Sequence, residues 1–238
     1  MTITPTIRKL FRAPYSVPNG LHADGDRLWV VDQITDRVAL VALGSPNEYG
    51  VTRYIREITT ESSNTSGLTY GDGSLWLAAN GPGTLWRDLR PTDAVKGDIL
   101  RVDPADGRTL ARYQVPDGGG VHGIEYDPME PGILWVTTLK SQTLSKVAVD
   151  GWQVLHTIPL PYHRAHGVIR VPDGIWVVFT SDRAILKLDL NDGRELARIT
   201  IPADQPEPHC LTRDGDDFLY CDATSGAITR ISAPGLLA

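Results

Sequence analysis

Three histidines occupy one position of a repeated phrase in this 238-residue chain, which contains six histidines in all. His122, His166 and His209 each precede a Gly or Cys, which is followed by Ile, Val or Leu. Imidazole changes its charge near neutral pH and is a frequent metal ligand. Converging imidazoles would act as general acid and base, or hold a divalent metal ion, with zinc and iron as candidates. Alternatively, the histidines come with the repeat and bond only backbone or water.

Glu207 lies two residues before His209 in the segment PADQPEPH. In an extended segment, side chains two residues apart point the same way. A carboxylate beside an imidazole can orient the ring and raise its basicity. Glu207 is otherwise a solvated loop residue.

The histidine phrase belongs to a repeat that predicts a β-propeller. It reads as a small or polar residue, Gly, an aliphatic residue, a turn and an apolar strand, at residues 19–32, 66–79, 122–138, 166–179 and 209–222. Propeller blades repeat every ~40–50 residues and contain four short strands. A fifth unit without a fourth strand ends the repeat, and residues 6–14 have the pattern of that missing strand. We therefore predict an all-β fold, one five-bladed β-propeller domain (1–238) whose last blade is closed by the N-terminal strand.

Two columns of the repeat have structural interpretations. Trp29, Trp76, Trp135 and Trp176 are expected to pack between blades. The glycines that follow the first residue of the repeated phrase are expected to leave room for a neighbouring blade. Cys210 replaces one of these glycines, and Cys210 and Cys221 are predicted to be buried thiols in a hairpin.

The face of the propeller where the inner strands begin is the predicted functional face. It collects the three histidines, Asn19, and the loop residues Tyr162 and His163. An insertion at residues 80–98 lies on the same face, and long loops in compact domains are often lids or binding loops. We predict Asn19, Tyr162, His163, Trp86, Arg87 and Arg90 as substrate-binding residues, with the cations suited to an anionic small molecule. A decorative surface loop is the alternative.

Composition restricts the partners. The formal net charge of −6 argues against binding to nucleic acids or anionic membranes. No apolar run approaches the ~20 residues of a membrane-spanning helix. We therefore expect a soluble, cytoplasmic monomer with a small-molecule substrate.

The phrases HGIEYDPMEPGILWV and DGRELARITIP resemble the superfamily of streptogramin (virginiamycin B) lyases, regucalcin-type gluconolactonases and NHL propellers. Similarity to the streptogramin lyases implies elimination at a lactone, with magnesium. It also implies catalytic roles for His209 as the base, Glu207 in the Glu-x-His element, His166 as a supporting histidine and Tyr15 as the tyrosine.

The function predicted from the sequence is a metal-assisted lyase acting on a carbonyl-containing substrate, with His122, His166 and His209 as metal ligands. Two alternatives stay open at this point. One is a metal-dependent hydrolase of an ester or lactone, and the other is a non-catalytic propeller that binds a ligand or a protein.

Overall fold

The computed structural model describes residues 1–237, and nearly all of its regular structure is β-strand. The strands in chain order are β1 (Thr2–Ile3), β2 (Thr6–Arg12), β3 (Pro18–Asp24), β4 (Arg27–Asp32), β5 (Val38–Ala42), β6 (Tyr54–Ile58), β7 (Thr65–Gly71), β8 (Ser74–Ala79), β9 (Asp98–Val102), β10 (Thr109–Gln114), β11 (Val121–Tyr126), β12 (Ile133–Thr138), β13 (Thr143–Ala148), β14 (Gln153–Pro159), β15 (Ala165–Val171), β16 (Gly174–Phe179), β17 (Ala184–Leu188), β18 (Glu195–Thr200), β19 (Thr212–Asp214), β20 (Asp217–Cys221) and β21 (Ala227–Ser232). A 3₁₀ turn, Asp150–Trp152, precedes β14.

Five antiparallel sheets form the five blades, which confirms the predicted propeller. Four blades run in chain order from the channel outward, as β3–β6, β7–β10, β11–β14 and β15–β18, and the fifth is built from β19, β20, β21 and β2. The inner strands contact one another in a ring, β3 with β7, β7 with β11, β11 with β15, β15 with β19, and β19 with β3.

The N-terminal segment closes the ring, as the sequence predicts. Strand β2 pairs antiparallel with β21 from Thr6 opposite Ser232 to Arg12 opposite Ala227. The short strand β1 also pairs in parallel with β18 of the preceding blade, which the sequence did not predict. The segment thus covers the outer edges of two adjacent blades, and edges left open would favour aggregation.

Close approach of the inner strands explains the glycine column. A methyl group added at Gly123 would collide with the carbonyl oxygen of His166, and one at Gly167 with the backbone of Cys210 and Leu211. Gly167 N donates to the carbonyl oxygen of His209, 2.9 Å away, and so bonds one blade to the next. The four tryptophans of the other column are at most 4% exposed, as expected for packing between blades.

An irregularity near the start of four inner strands decides which side chains face the channel. The pairing register shifts in β3, β7, β11 and β15, between Val121 and Ile124 in the case of β11. Side chains of a regular strand alternate between its two faces, and a bulge interrupts this alternation. His122 at one end of β11 and Glu125 at the other can therefore both face the channel.

Blade five departs from the pattern. Its inner strand was predicted at residues 209–213, but β19 begins only at Thr212. Pro206 and Pro208 precede it and lack the N–H groups that a strand ladder needs. His209 still donates its backbone N–H to the carbonyl oxygen of Cys221, 2.9 Å away, which keeps the histidine in its repeat position.

Candidate functional site

The three repeat histidines meet at one end of the channel. The ring centroids of His122 and His166 are 4.0 Å apart, and those of His166 and His209 are 5.2 Å apart with the rings nearly perpendicular. Each ring comes from a different blade, so the repeat symmetry brings them together as expected. We call His122, His166 and His209 the histidine cluster.

The histidine cluster is almost wholly buried, with exposures of 9% for His122, 2% for His166 and 8% for His209. Burial lowers the pKa of His122 to about 3 and that of His166 well below the usual value, since a buried imidazolium loses its hydration. Burial also lowers the pKa of His209, although the nearby Glu207 opposes this effect. The three rings are therefore uncharged at neutral pH.

A chain of amide side chains leads round the same face to the cluster. Asn19 Nδ2 donates to Gln33 Oε1 (3.0 Å), and Gln33 Nε2 donates to Asn64 Oδ1 (2.7 Å). Asn64 Nδ2 lies 3.4 Å from the carbonyl oxygen of Asn80, whose own Nδ2 lies 2.8 Å from His122 Nε2. Asn19, predicted to bind substrate, is thus connected to the cluster through Gln33, Asn64 and Asn80.

Asn80 determines the tautomer of His122. Its Oδ1 accepts from the backbone N–H of Val121 (2.9 Å), so the group facing His122 Nε2 is the amide NH₂. Nε2 must then accept, and the proton of the neutral ring is on Nδ1.

Several polar atoms of the cluster lack hydrogen-bond partners among residues 1–237. They are Nδ1 of His122 and both ring nitrogens of His166, and Oδ1 of Asn19, outside the cluster, is likewise unpartnered. A buried polar group without a partner costs about 1–3 kcal/mol. Such groups concentrated at one mouth of the channel are typical of a site that completes its bonding with a ligand or water.

His209 has the carboxylate neighbour that the sequence predicts. Its Nε2 lies 3.9 Å from Glu207 Oε2, close enough for charge interaction but not for a hydrogen bond. Its Nδ1 lies 3.4 Å from the carbonyl oxygen of Glu207 and 3.4 Å from the backbone nitrogen of Ala223. The Glu207 carbonyl can only accept and the Ala223 N–H can only donate, so the two contacts of Nδ1 favour opposite tautomers of His209.

Arg164 is a cation whose charge acts on all three rings of the cluster, and it was not among the residues predicted from the sequence. Its positive charge contributes to the lowered pKa of His122, His166 and His209. The residue is exposed, with a left-handed backbone (φ 53°), and no hydrogen bond or ion pair engages its guanidinium group in the described part of the chain. Its position two residues before a channel histidine was the available signal.

The insertion loop is fastened to blade one. Arg87 and Arg90 both pair with the buried carboxylates of Asp36 and Asp93, at 2.7–3.1 Å. Their charges are therefore already compensated by these carboxylates. Binding of an anionic substrate by Arg87 or Arg90 stays a prediction from the sequence. Trp86 is 42% exposed.

The remaining predicted residues lie away from the rings of the cluster. The hydroxyl of Tyr15 donates to Glu57 Oε2 (2.7 Å) on the outermost strand of blade one, and burial raises the pKa of Tyr15. Tyr162 packs edge-on against Phe179, with its hydroxyl 3.2 Å from Arg198 Nη2. His163, which is exposed, and Tyr162, which is half-buried, line a cavity of about 130 Å³ together with Arg164. The catalytic role of Tyr15 stays a prediction from the resemblance.

The donor set does not fit a resident metal ion in this arrangement. Among residues 1–237, no group of three or more His, Cys, Asp or Glu side chains is placed to hold one. His122 Nε2 is occupied by Asn80, and its Nδ1 carries the ring proton. Metal binding by His122, His166 and His209 stays a prediction from the sequence, and we derive no chemical step through a metal.

No helix among the described residues is long and apolar enough to span a membrane.

Comparisons with known proteins establish the fold. No protein-family model and no curated protein sequence matches the chain. Among solved structures, it is similar to a glutaminyl cyclase from Myxococcus xanthus, with a TM-score of 0.66, 9% identity and 98% of each chain covered.

Two lyase structures are also similar. For virginiamycin B lyase from Staphylococcus aureus the TM-score is 0.53, with 18% identity over 98% of this chain and 76% of that one. For a streptogramin B lyase it is 0.58, with 13% identity over 96% of this chain and 98% of that one. These comparisons support, at the level of the fold, the resemblance to streptogramin lyase propellers inferred from the sequence phrases.

Proposed function

We propose that this protein is an enzyme that acts on a small, anionic, carbonyl-containing substrate at the histidine cluster. The observation that carries the proposal is the packing of three uncharged imidazoles at the channel mouth, two of which, His122 and His166, have unpartnered ring nitrogens. Desolvated titratable groups gathered in this way are common in active sites. The similar solved structures are named as a cyclase and two lyases, which is compatible with the proposal that this protein is an enzyme.

His209 is the proposed general base. It is uncharged at neutral pH and has 8% exposure, whereas His166 lies deeper at 2%. In the tautomer that carries the proton on Nδ1, this atom donates to the carbonyl oxygen of Glu207 and Nε2 is free to take a proton. The carboxylate of Glu207, 3.9 Å from Nε2, then stabilises the imidazolium that forms.

The proposed reaction is an elimination. His209 removes a proton from the carbon next to the substrate carbonyl, that carbon forms a double bond with its neighbour, and the C–O bond of the leaving group breaks. Arg164 would stabilise the negative charge that develops on the carbonyl oxygen or the anionic group of the substrate.

A second candidate is ring closure at a glutaminyl residue. It is favoured by the similarity to the Myxococcus xanthus glutaminyl cyclase over nearly the full length of both chains. An acid–base histidine is equally suited to this reaction, in which an amine attacks the side-chain amide and ammonia leaves.

Product mass distinguishes the reactions. Purified protein is incubated with a streptogramin B lactone, simple lactones and esters, and glutaminyl peptides. Elimination opens a lactone with no change in mass, hydrolysis adds water, and glutaminyl cyclisation loses ammonia. Elemental analysis and chelator treatment of the same sample report on a metal. No turnover above that of His209→Ala on any member of the panel would contradict the proposal.

A further inference from the structure

The end of the channel opposite the histidine cluster holds a separate cavity of about 400 Å³. It lies at the opposite end because Gly25 and Gly215, in the turns that follow the inner strands, line it. Its polar lining includes His22, Tyr70, Glu125, Arg170, Thr212 and Arg213. A cavity of this size accommodates a small organic molecule.

Glu125 is one of the two acidic residues that line this cavity, the other being Asp214. Its Oε2 accepts from the hydroxyl of Thr69 at 3.3 Å, and the backbone N–H of Arg170 favours the ionised form of its carboxyl by lowering its pKa. Burial, and the nearby charge of Asp127, raise the pKa of Glu125 to about 8. No Lys or Arg side chain forms an ion pair with it within residues 1–237.

Of the other charged groups that line the cavity, Arg170 and Asp214 have an oppositely charged partner, and exposed Arg213 is bonded to a neutral carbonyl. Arg170 lies 3.5 Å from the carboxylate of Asp127, and Asp214 pairs with Arg230. Arg213 Nε donates to the carbonyl oxygen of Gly215 at 2.8 Å. Of the two acidic side chains that line this cavity, Glu125 is therefore the one without an oppositely charged partner among residues 1–237.

The remaining walls are uncharged and partly aromatic. Burial lowers the pKa of His22 to about 4, so its ring is neutral at physiological pH. The rings of His22 and Tyr70 lie 6.0 Å apart, and Tyr126 also lines the cavity. Tyrosine faces attract organic cations, most strongly where water is excluded.

We propose that this cavity is a second binding site, which takes a small primary amine in its ammonium form with Glu125 as the counter-ion. The ammonium group replaces the missing cation partner, and its alkyl chain lies against Tyr70 and Tyr126. On binding, the carboxylic acid of Glu125 releases its proton to the solvent and the carboxylate pairs with the ammonium. No covalent bond forms or breaks apart from this O–H bond.

Calorimetry on the full chain tests the proposal. Butylamine is titrated at pH 7 in two buffers that differ in ionisation enthalpy, with butyrate and butanol as the matched anionic and neutral probes. We expect butylamine to bind with release of close to one proton, and neither other probe to bind. Binding of butyrate instead, binding of butylamine without proton release, or no binding at millimolar concentration would overturn the proposal.

Variants localise the site. Glu125→Gln is expected to abolish both binding and proton release, whereas Glu130→Gln, in the same blade but paired with Lys146 on the surface, is expected to preserve both. Equal binding by Glu125→Gln would contradict the assignment. If Glu125→Gln does not fold, Thr69→Val serves instead, since it removes the hydroxyl that stabilises the carboxylate. It is expected to weaken butylamine binding several-fold, and unchanged affinity would contradict the site.

Discussion

The rings of His122 and His166 lie 4.0 Å apart because the strands that carry them approach more closely than a Cβ atom at Gly123 would allow. The glycine that follows each channel position in four blades thus sets the blade spacing and, through it, the distance between the imidazoles. Close approach of the blades brings the three channel histidines into contact and leaves them at most 9% exposed.

Acid should destabilise the fold through these rings. The unfolded chain binds protons at histidine below about pH 6.5, whereas folded His122 stays neutral to about pH 3 and His166 is lowered as well. The unfolded state therefore binds more protons in this window, and stability falls as pH falls. Each histidine accounts for about 1.4 kcal/mol per pH unit.

Urea unfolding at pH 7.5 and pH 4.5 measures this effect. The double variant His122→Asn/His166→Asn should lose much less stability between the two pH values than the unmodified protein. His163→Asn, at an exposed site on the same face, is the control and should follow the unmodified protein. The same pH slope in all three proteins would mean that the two histidines are not buried as neutral rings.

Arg164→Ala should raise the pKa of His209. The arginine charge disfavours a second positive charge nearby, and it is uncompensated within the described chain. NMR titration of the imidazole signals measures the shift. Arg87→Ala is the matched control, because Arg87 is neutralised by Asp36 and Asp93. If the substrate is anionic, Arg164→Ala should also increase KM more than it lowers kcat, and equal KM values would exclude this arginine from substrate binding.

Variants of the proposed base, His209, and of its partner, Glu207, should differ in kcat and in the pH dependence of the rate. His209→Ala should lower kcat by roughly 100-fold or more, the usual contribution of a positioned general base. Glu207→Gln should have a smaller effect and should lower the apparent pKa of the rate profile, because the carboxylate favours the imidazolium. Rates of both variants are measured on whichever substrate the mass assay identifies. An unchanged pH profile in Glu207→Gln would remove Glu207 from the mechanism.

The fold was predictable because it depends on a pattern that repeats. The recurrence of the glycine and tryptophan columns, and the resemblance of residues 6–14 to an outer strand, are visible in the letters alone. The histidine cluster follows from the same symmetry, since equivalent positions in adjacent blades must meet at one channel.

The parts of the site that depend on individual contacts were not predictable. The amide of Asn80 sets the tautomer of His122, but its side-chain orientation depends on the backbone N–H of Val121. Arg87 and Arg90 were predicted to face a substrate because they are cations in a long loop. Their carboxylate partner Asp36 lies in another blade, about fifty residues away in the chain, and no local pattern indicates that pairing.

Removal of residues 1–13 should abolish soluble folding. It deletes β1 and β2, which exposes the outer edges of β18 and β21 together. Removal of residues 1–4 deletes β1 alone and should leave a folded monomer of lower stability. Expression in the soluble fraction and size-exclusion chromatography compare the two. A stable monomeric protein without residues 1–13 would show that β2 is not needed for closure.

Gly123→Ala should destabilise the protein and disturb the histidine cluster at the same time. The added methyl group would meet the carbonyl oxygen of His166 on the next blade, and backbone cannot move aside as a flexible side chain can. Overpacking of this kind costs about 1–3 kcal/mol.

Gly44→Ala is the matched control, because nothing lies within 4 Å of the Cβ that it adds and its backbone is not left-handed. Urea unfolding measures the stability of both variants, and the imidazole NMR signals of His122 and His166 report the ring contact. Gly123→Ala should shift both signals and lower the unfolding midpoint, whereas Gly44→Ala should change neither. If Gly123→Ala were as stable as Gly44→Ala, the blades would have room to separate, and close strand approach would not be what holds the two rings together.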